Sequence, residues 1–293
     1  MCPRRCGTPR GHGYCGAGEA LEVAAVCLHR GEEPPLVGPE GKGIVNVFFA
    51  HCNLQCDYCQ NWQISGRKVE SGRQSVESLA DEICRLLPRS SGLLGLVTAA
   101  HYADRIPAIV DAVHQRGFTP TVVYNSGGYE SVEALRNLEG LVDIYLPDLK
   151  YMDRAMSKRW SHAEDYPEVA AAALREMKRQ VGGGLTTDDG TAIRGIIVRH
   201  LVLPGSIDNS LQCLEWLADN FNPFSLHLSL MAQYFPPREG LEPPLDRTLT
   251  EDEYRQVVDR AEALGLTAGW IQEMNAEANY RPNFAQNGNP FER

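Results

Sequence analysis

The sequence reads as an α/β protein: an open or partial (β/α)6-type barrel with a small cysteine-rich appendage at its N-terminus. Three observations predict it. From Ile44 onward, short apolar runs alternate with amphipathic segments about six times, the pattern of parallel strands joined by right-handed crossovers. With 293 residues, 43% of them hydrophobic, the chain can bury one barrel-sized core. The chemically unusual residues follow the apolar runs almost every time, as they do where a barrel gathers its site at the C-terminal ends of its strands. Six or seven units favour a partial barrel over a closed eight-unit one. A doubly wound sheet is the structural alternative.

Residues 1–43 are rich in Gly, Arg, Pro and Cys and show little periodicity, which predicts a loop-dominated appendage. The barrel is expected over 44–274, with strands at 44–49, 93–97, 121–124, 142–146, 196–203, 226–231 and 266–271. Helices are expected where apolar residues recur at i, i+3, i+4 and i+7. Val76, Leu79, Ala80, Ile83 and Leu87 form one stripe, and Ile106, Ile109, Val110 and Val113 another. Val169, Ala172, Ala173 and Met177 form a third. Tyr254, Val257, Val258 and Ala261 form a fourth, which Thr250 and Glu253 precede as a capping box. The polar tail 275–293, with Asn279, Tyr280, Pro282, Phe284 and Phe291, reads as a wrapping extension.

Composition excludes several roles. The chain has 28 Lys and Arg against 38 Asp and Glu, a net charge of −10, and no basic stripe, so phosphate-driven nucleic-acid binding is not expected. No apolar run approaches a membrane span, and no secretory apolar region opens the chain. The nine cysteines are odd in number and clustered, against a disulfide framework. These features predict a reduced, cytoplasmic protein whose clustered thiols hold metal. Cys27, Cys84 and Cys213 lie in apolar or helical stretches and are expected in the core.

The chemistry concentrates in His51-Cys52-Asn53-Leu54-Gln55-Cys56-Asp57-Tyr58-Cys59-Gln60-Asn61-Trp62, directly after the first strand. Cys52, Cys56 and Cys59 are spaced C-x3-C-x2-C. Three thiolates can hold three irons of a [4Fe-4S] cluster, leaving the fourth iron free for a small molecule. Zinc prefers four ligands in a tetrahedron, and a plain ferredoxin cluster needs a fourth cysteine. Three unrelated core cysteines fit poorly beside Asn53, Gln55 and Asp57. These remain the alternatives at this point.

The spacing, with an aromatic residue before the last cysteine, resembles the signature of the radical S-adenosylmethionine superfamily. Gln60-Asn61 after the third cysteine resembles the activating enzymes of glycyl-radical proteins. The wider text is similar to an uncharacterised, pyruvate formate-lyase-activating-enzyme-like subfamily. The similarity runs through Cys2-Pro3-Arg4-Arg5-Cys6-Gly7, Gly13-Tyr14-Cys15-Gly16, Glu32-Glu33-Pro34-Pro35-Leu36 and Gly128-Tyr129-Glu130-Ser131. It continues through Tyr145-Leu146-Pro147-Asp148-Leu149-Lys150, Arg199-His200-Leu201-Val202-Leu203-Pro204-Gly205 and Leu230-Met231-Ala232-Gln233-Tyr234.

The resemblance implies a radical S-adenosylmethionine barrel whose cofactors are a [4Fe-4S] cluster on Cys52, Cys56 and Cys59 and S-adenosylmethionine on the open iron. One-electron cleavage of the sulfonium would give a 5′-deoxyadenosyl radical for hydrogen abstraction. The partners implied are a one-electron donor of flavodoxin or ferredoxin type, and a glycyl-radical protein or a small-molecule or peptide substrate. Tyr58 is expected near the adenine, Asp148, Lys150 and Arg199 near the methionine carboxylate, and Asn125 near the ribose. Their plain alternatives are an N-cap with a solvated Lys, a surface ion pair and a turn. Where many members carry Gly-Gly-Glu to hold the cofactor's amino group, this chain reads Val97-Thr98-Ala99-Ala100-His101-Tyr102. Thr98 is expected to substitute there through its hydroxyl or backbone carbonyl. His101 is a candidate for orienting substrate or moving a proton, or else a structural histidine.

Cys2, Cys6 and Cys15, spaced C-x3-C-x8-C with no core around them, form a candidate second metal site, a cluster or a zinc; the alternative is a disordered arm. Related sequences tend to carry one more cysteine upstream, so the chain is expected to begin short of its natural start. The rival function is a non-catalytic iron–sulfur or zinc protein in electron transfer or metal handling.

Overall fold

The computed structural model of the chain describes residues 2–69, 71–274, 281–286 and 288–292. Among these residues ten strands form one sheet: β1 (Leu21–His29), β2 (Ile44–Phe49), β3 (Gly72–Gln74), β4 (Leu93–Val97), β5 (Thr121–Ser126), β6 (Ile144–Pro147), β7 (Leu185–Asp188), β8 (Thr191–Leu201), β9 (His227–Met231) and β10 (Gly269–Ile271). Their order is β10-β9-β8-β6-β5-β4-β2-β1-β3, with β7 paired to β8. Every pair from β2 to β10 along that path is parallel. Because chain order and sheet order agree across these strands, each crossover advances the same way. The sheet therefore lacks the reversal point of a doubly wound fold. β10 and β3 end the path, so the barrel is open, as the sequence predicts.

Alternation along the strands sorts the core. Val45, Val47, Leu94, Leu96, Val122 and Val198 face the helices and join the main core. Helices Val76–Leu86, Ile106–His114, Tyr166–Val181, Ile207–Asn220 and Glu251–Ala263 supply the covering layer. Their apolar stripes meet the strands through Leu79, Ile83, Ile109, Leu174, Leu217 and Val257. The alternate residues Ile44, Leu93, Val123, Ile144 and Ile197 pack with Leu36 on the opposite face. The capping box is formed: Thr250 Oγ1 accepts from Glu253 N while Glu253 Oε2 accepts from Thr250 N. Among the described residues no helix is long and apolar enough to cross a membrane.

Two features depart from the expectation. Residues 1–43 are not all loop, since β1 runs antiparallel to β2 and extends the sheet. Its Leu21, Val23, Cys27 and Leu28 are buried, but an irregularity between Val23 and Ala25 breaks the alternation that would have marked it as a strand. β7 and β8 form a hairpin across Asp189-Gly190, both at positive φ (44° and 74°), within a stretch too polar to read as strand. Cys27, Cys84 and Cys213 are buried as expected. In the tail, Phe284 and Phe291 pack on Phe48 with ring centroids 5.4 and 5.6 Å away. Asn279 and Tyr280 lie outside the described residues.

Candidate functional site

A cavity of about 220 Å³ opens at the C-terminal ends of the parallel strands. Cys52, Cys56 and Cys59 line it on one side, and Thr98, Asn125, Asp148, Lys150 and Arg199 stand around it. The sequence-expected residues thus meet in one place, although they come from five different strand ends.

The cysteine loop is held tightly. It leaves β2 through His51, whose φ of 71° is the left-handed backbone that L-residues seldom adopt. The His51 ring is clamped between Glu22 Oε2 at 2.8 Å and Gly66 O at 3.1 Å. Asp57 N donates to Trp160 O at 2.8 Å, and Asn53 Nδ2 donates to Tyr129 O at 2.9 Å. Behind Cys56 stand two hydroxyls: Tyr151 OH lies 2.8 Å from Ser161 Oγ, which donates to Cys56 Sγ at 2.9 Å. The Tyr58 ring is buried against Tyr151, at an edge-on centroid distance of 6.3 Å. Tyr58 also lines the cavity.

Electrostatics fit a cationic cluster at these thiols. Burial, and then the neighbouring Cys56 and Cys59, push the Cys52 thiol up to about 12. Burial pushes Cys56 up to about 11, although the Lys150 ammonium pulls it down. Bare thiolates are therefore disfavoured here, and bound metal would supply the positive charge the loop lacks. Among the described residues no three His, Cys, Asp or Glu side chains are grouped so as to hold one metal ion. The three thiols line one cavity, where a cluster would take each cysteine at a different iron.

Close enough to act on Cys56 and Cys59, Lys150 Nζ donates to Asp148 Oδ2 at 2.5 Å. Burial, the largest influence, lowers the Lys150 ammonium, but Asp148 together with Cys56 and Cys59 holds the group above its ordinary range, firmly charged. Arg199 is engaged more fully than expected. It pairs with Glu32 and, at 2.8 Å, with Glu33, and its charge survives burial because of them. Asn46 Nδ2 completes this group by donating to Glu32 Oε1 at 2.8 Å. Gly95 makes room for it, since a Cβ there would overlap Asn46 Oδ1. Thr98 has φ of 60°, an outlier for a β-branched residue, and lies where a glycine pair is common in the resembled superfamily.

Three carboxylates of the site were given no role by sequence reasoning. Glu32 and Glu33 sit just before Pro34-Pro35 in a segment read as loop. Glu130 lines the cavity fully buried, bonded by Ser126 Oγ at 2.7 Å and Tyr124 OH at 3.3 Å, and burial pushes it up to about 7. An acid so close to Gly127-Gly128 was the available signal. His101 does not line this cavity. Burial lowers it to about 4, its Nε2 meets Ala50 O at 2.8 Å, and it faces a second cavity. That neighbouring cavity, of about 520 Å³, is lined by Cys2, Cys6 and Cys15.

No family model matches the chain. An uncharacterized protein of Methanocaldococcus jannaschii, MJ0674, is 27% identical over 276 residues, covering 91% of this chain and 75% of its own length. Among solved structures, SuiB of Streptococcus suis bound to S-adenosylmethionine aligns with a TM-score of 0.50 at 9% identity, over 76% of this chain and 48% of SuiB. The chain thus spans about half of SuiB, and the likeness is one of fold. A domain of a pyruvate-formate lyase-activating enzyme from Bacteroides vulgatus aligns at 0.42 with 14% identity, over 62% of this chain and all of that domain.

Proposed function

We propose that this chain is a radical S-adenosylmethionine enzyme that abstracts hydrogen from its target. Its fold, an open and mostly parallel partial barrel, is consistent with that superfamily. The observation that carries the reading is the opening of Cys52, Cys56 and Cys59 onto the same cavity as Asp148, Lys150 and Arg199. When bound, a [4Fe-4S] cluster and S-adenosylmethionine would supply a one-electron cleavage that yields a 5′-deoxyadenosyl radical.

The chain's own residues do the rest. Cys52, Cys56 and Cys59 would hold three irons, with Ser161 orienting Cys56 by its hydrogen bond. Lys150, held charged by Asp148, is the cation available to the cofactor's carboxylate. Arg199 acts through Glu32 and Glu33, fixing the wall rather than presenting a free guanidinium. Thr98 offers its hydroxyl or backbone carbonyl to the cofactor's amino group, and Asn125 its amide to the ribose. The buried strand ends keep water from a reactive intermediate.

The target is a backbone glycine of a glycyl-radical protein, as the activating-enzyme resemblance implies, or a small molecule or peptide. The electron comes from a flavodoxin- or ferredoxin-type donor. Anaerobically reconstituted protein, given dithionite and S-adenosylmethionine, should release 5′-deoxyadenosine, and Cys56→Ala should not. A cluster that forms without any nucleoside above that variant would leave a non-catalytic iron–sulfur protein.

A further inference from the structure

The N-terminal arm, expected to be either a metal site or a disordered tail, is bonded into the cysteine loop. Arg4 Nε donates to Asn53 O at 2.7 Å, its Nη2 donates to Ser161 O at 3.1 Å, and its guanidinium lies 3.9 Å over the Tyr14 ring. Tyr14 OH donates to Leu54 O at 3.0 Å, and Gln55 Nε2 donates to Tyr14 O at 3.1 Å. An arm of Gly, Arg and Pro with no apolar core is thereby shaped into a cavity wall carrying three thiols. Cys15 packs against the edge of the main core, but Cys6 is exposed and Cys2 half-buried, so packing does not account for these two. The two sets of sulfurs share one side chain. Asn53 Oδ1 lies 4.0 Å from Cys52 Sγ, and Asn53 Nδ2 donates toward Cys2 Sγ at 3.6 Å.

We propose that Cys2, Cys6 and Cys15 hold a second iron–sulfur cluster, coupled through Asn53 to the cluster of the Cys52 loop. A zinc ion fits this cavity less well. Zinc wants four donors at about 2.0–2.3 Å around one point, whereas three thiols are what this cavity's wall provides. A cluster takes each cysteine at a separate iron and uses the cavity's 520 Å³. One electron can then pass between the two clusters, one being oxidised as the other is reduced; no bond forms or breaks and no proton moves. The coupling rests on the cluster assigned above to the Cys52 loop, whereas the second site itself does not.

The test uses the full chain, reconstituted without oxygen with iron and sulfide. One variant carries Cys2→Ala, Cys6→Ala and Cys15→Ala; the other carries Cys52→Ala, Cys56→Ala and Cys59→Ala. Each should keep half of the wild-type iron and acid-labile sulfide. Dithionite-reduced wild type should show spin–spin broadening in electron paramagnetic resonance that both variants lack. Cys6→Ser, at an exposed position, covers the case in which a triple variant misfolds: it alone should lower iron and sulfide without altering the circular dichroism. An iron-free or zinc-loaded Cys52-loop variant overturns the second cluster. A wild-type spectrum equal to the sum of the two variants overturns the coupling. Neither readout depends on nucleoside formation, so failure here is separable from failure of the enzymatic reading.

Discussion

Glu130 is the side chain whose state most depends on the fold. Burial raises it to about 7 from an ordinary 4.5 while Ser126 and Tyr124 bond its oxygens. An acid raised on folding binds its proton more tightly in the native state, so its contribution is complete below the ordinary value and is lost as pH rises through about 7. Glu130→Gln mimics the protonated form. Its stability relative to wild type should therefore rise between about pH 5 and pH 8, by up to about 3 kcal/mol, in denaturant titrations. His101 and His200, both lowered to about 4 by burial, act in the opposite sense but cancel in that difference. At Lys150 the expected loss is binding. Lys150→Met removes the cation and should weaken S-adenosylmethionine by about 10- to 100-fold in anaerobic equilibrium dialysis. Thr98 supplies a third case. If its backbone carbonyl is what matters, Thr98→Val, which keeps the branch and removes the hydroxyl, should leave that affinity nearly unchanged. A loss as large as that at Lys150 would assign the role to the hydroxyl.

The elements differ in how much their residues disclose. Helices with one buried stripe, such as Val76–Leu86 and Ile106–His114, were legible because period and burial agree. β1 was not, because its inward residues are interrupted at Val23 and Ala25, and β7 was not, because Thr186, Thr187 and Asp188 are exposed. The helix Glu251–Ala263 was legible down to its cap, and the structure adds a task to that cap. Glu253 also accepts from Gly205 N at 2.7 Å and from Arg247 at 2.7 and 2.8 Å, so it fastens the helix to the loop after β8. Thr250→Ala removes one capping bond and should cost about 1 kcal/mol in thermal unfolding. Gly128 marks the opposite extreme. It has φ of 80°, and a Cβ there would overlap the Asp148 carbonyl oxygen. Gly128→Ala must push β6's following residues away, and it should lower both stability and cofactor affinity.

At the scale of the molecule, the site was legible because a singly wound barrel brings all its strand ends to one rim. Cys52, Thr98, Asn125, Asp148 and Arg199 could be assembled from sequence order alone. What order could not give is contact between segments far apart in the chain: Glu32 and Glu33 with Arg199, or Arg4 with Ser161. Those contacts decide what happens when metal is removed. The sheet and helices hold themselves through a continuous buried core. The Cys52 loop reaches that core through Leu54 and Tyr58, and it and the N-terminal arm lean on each other through Arg4, Tyr14, Asn53 and Gln55. Metal sites of this kind couple binding to local order. Chelating the iron should therefore speed amide exchange in residues 2–18 and 52–62 together, while 106–114 and 121–126 stay protected. Mass spectrometry of deuterated peptides, with and without iron, reads this directly. Faster exchange in the loop with an unchanged arm would mean that the arm is held by its protein contacts alone. Equal protection everywhere would mean that metal orders neither.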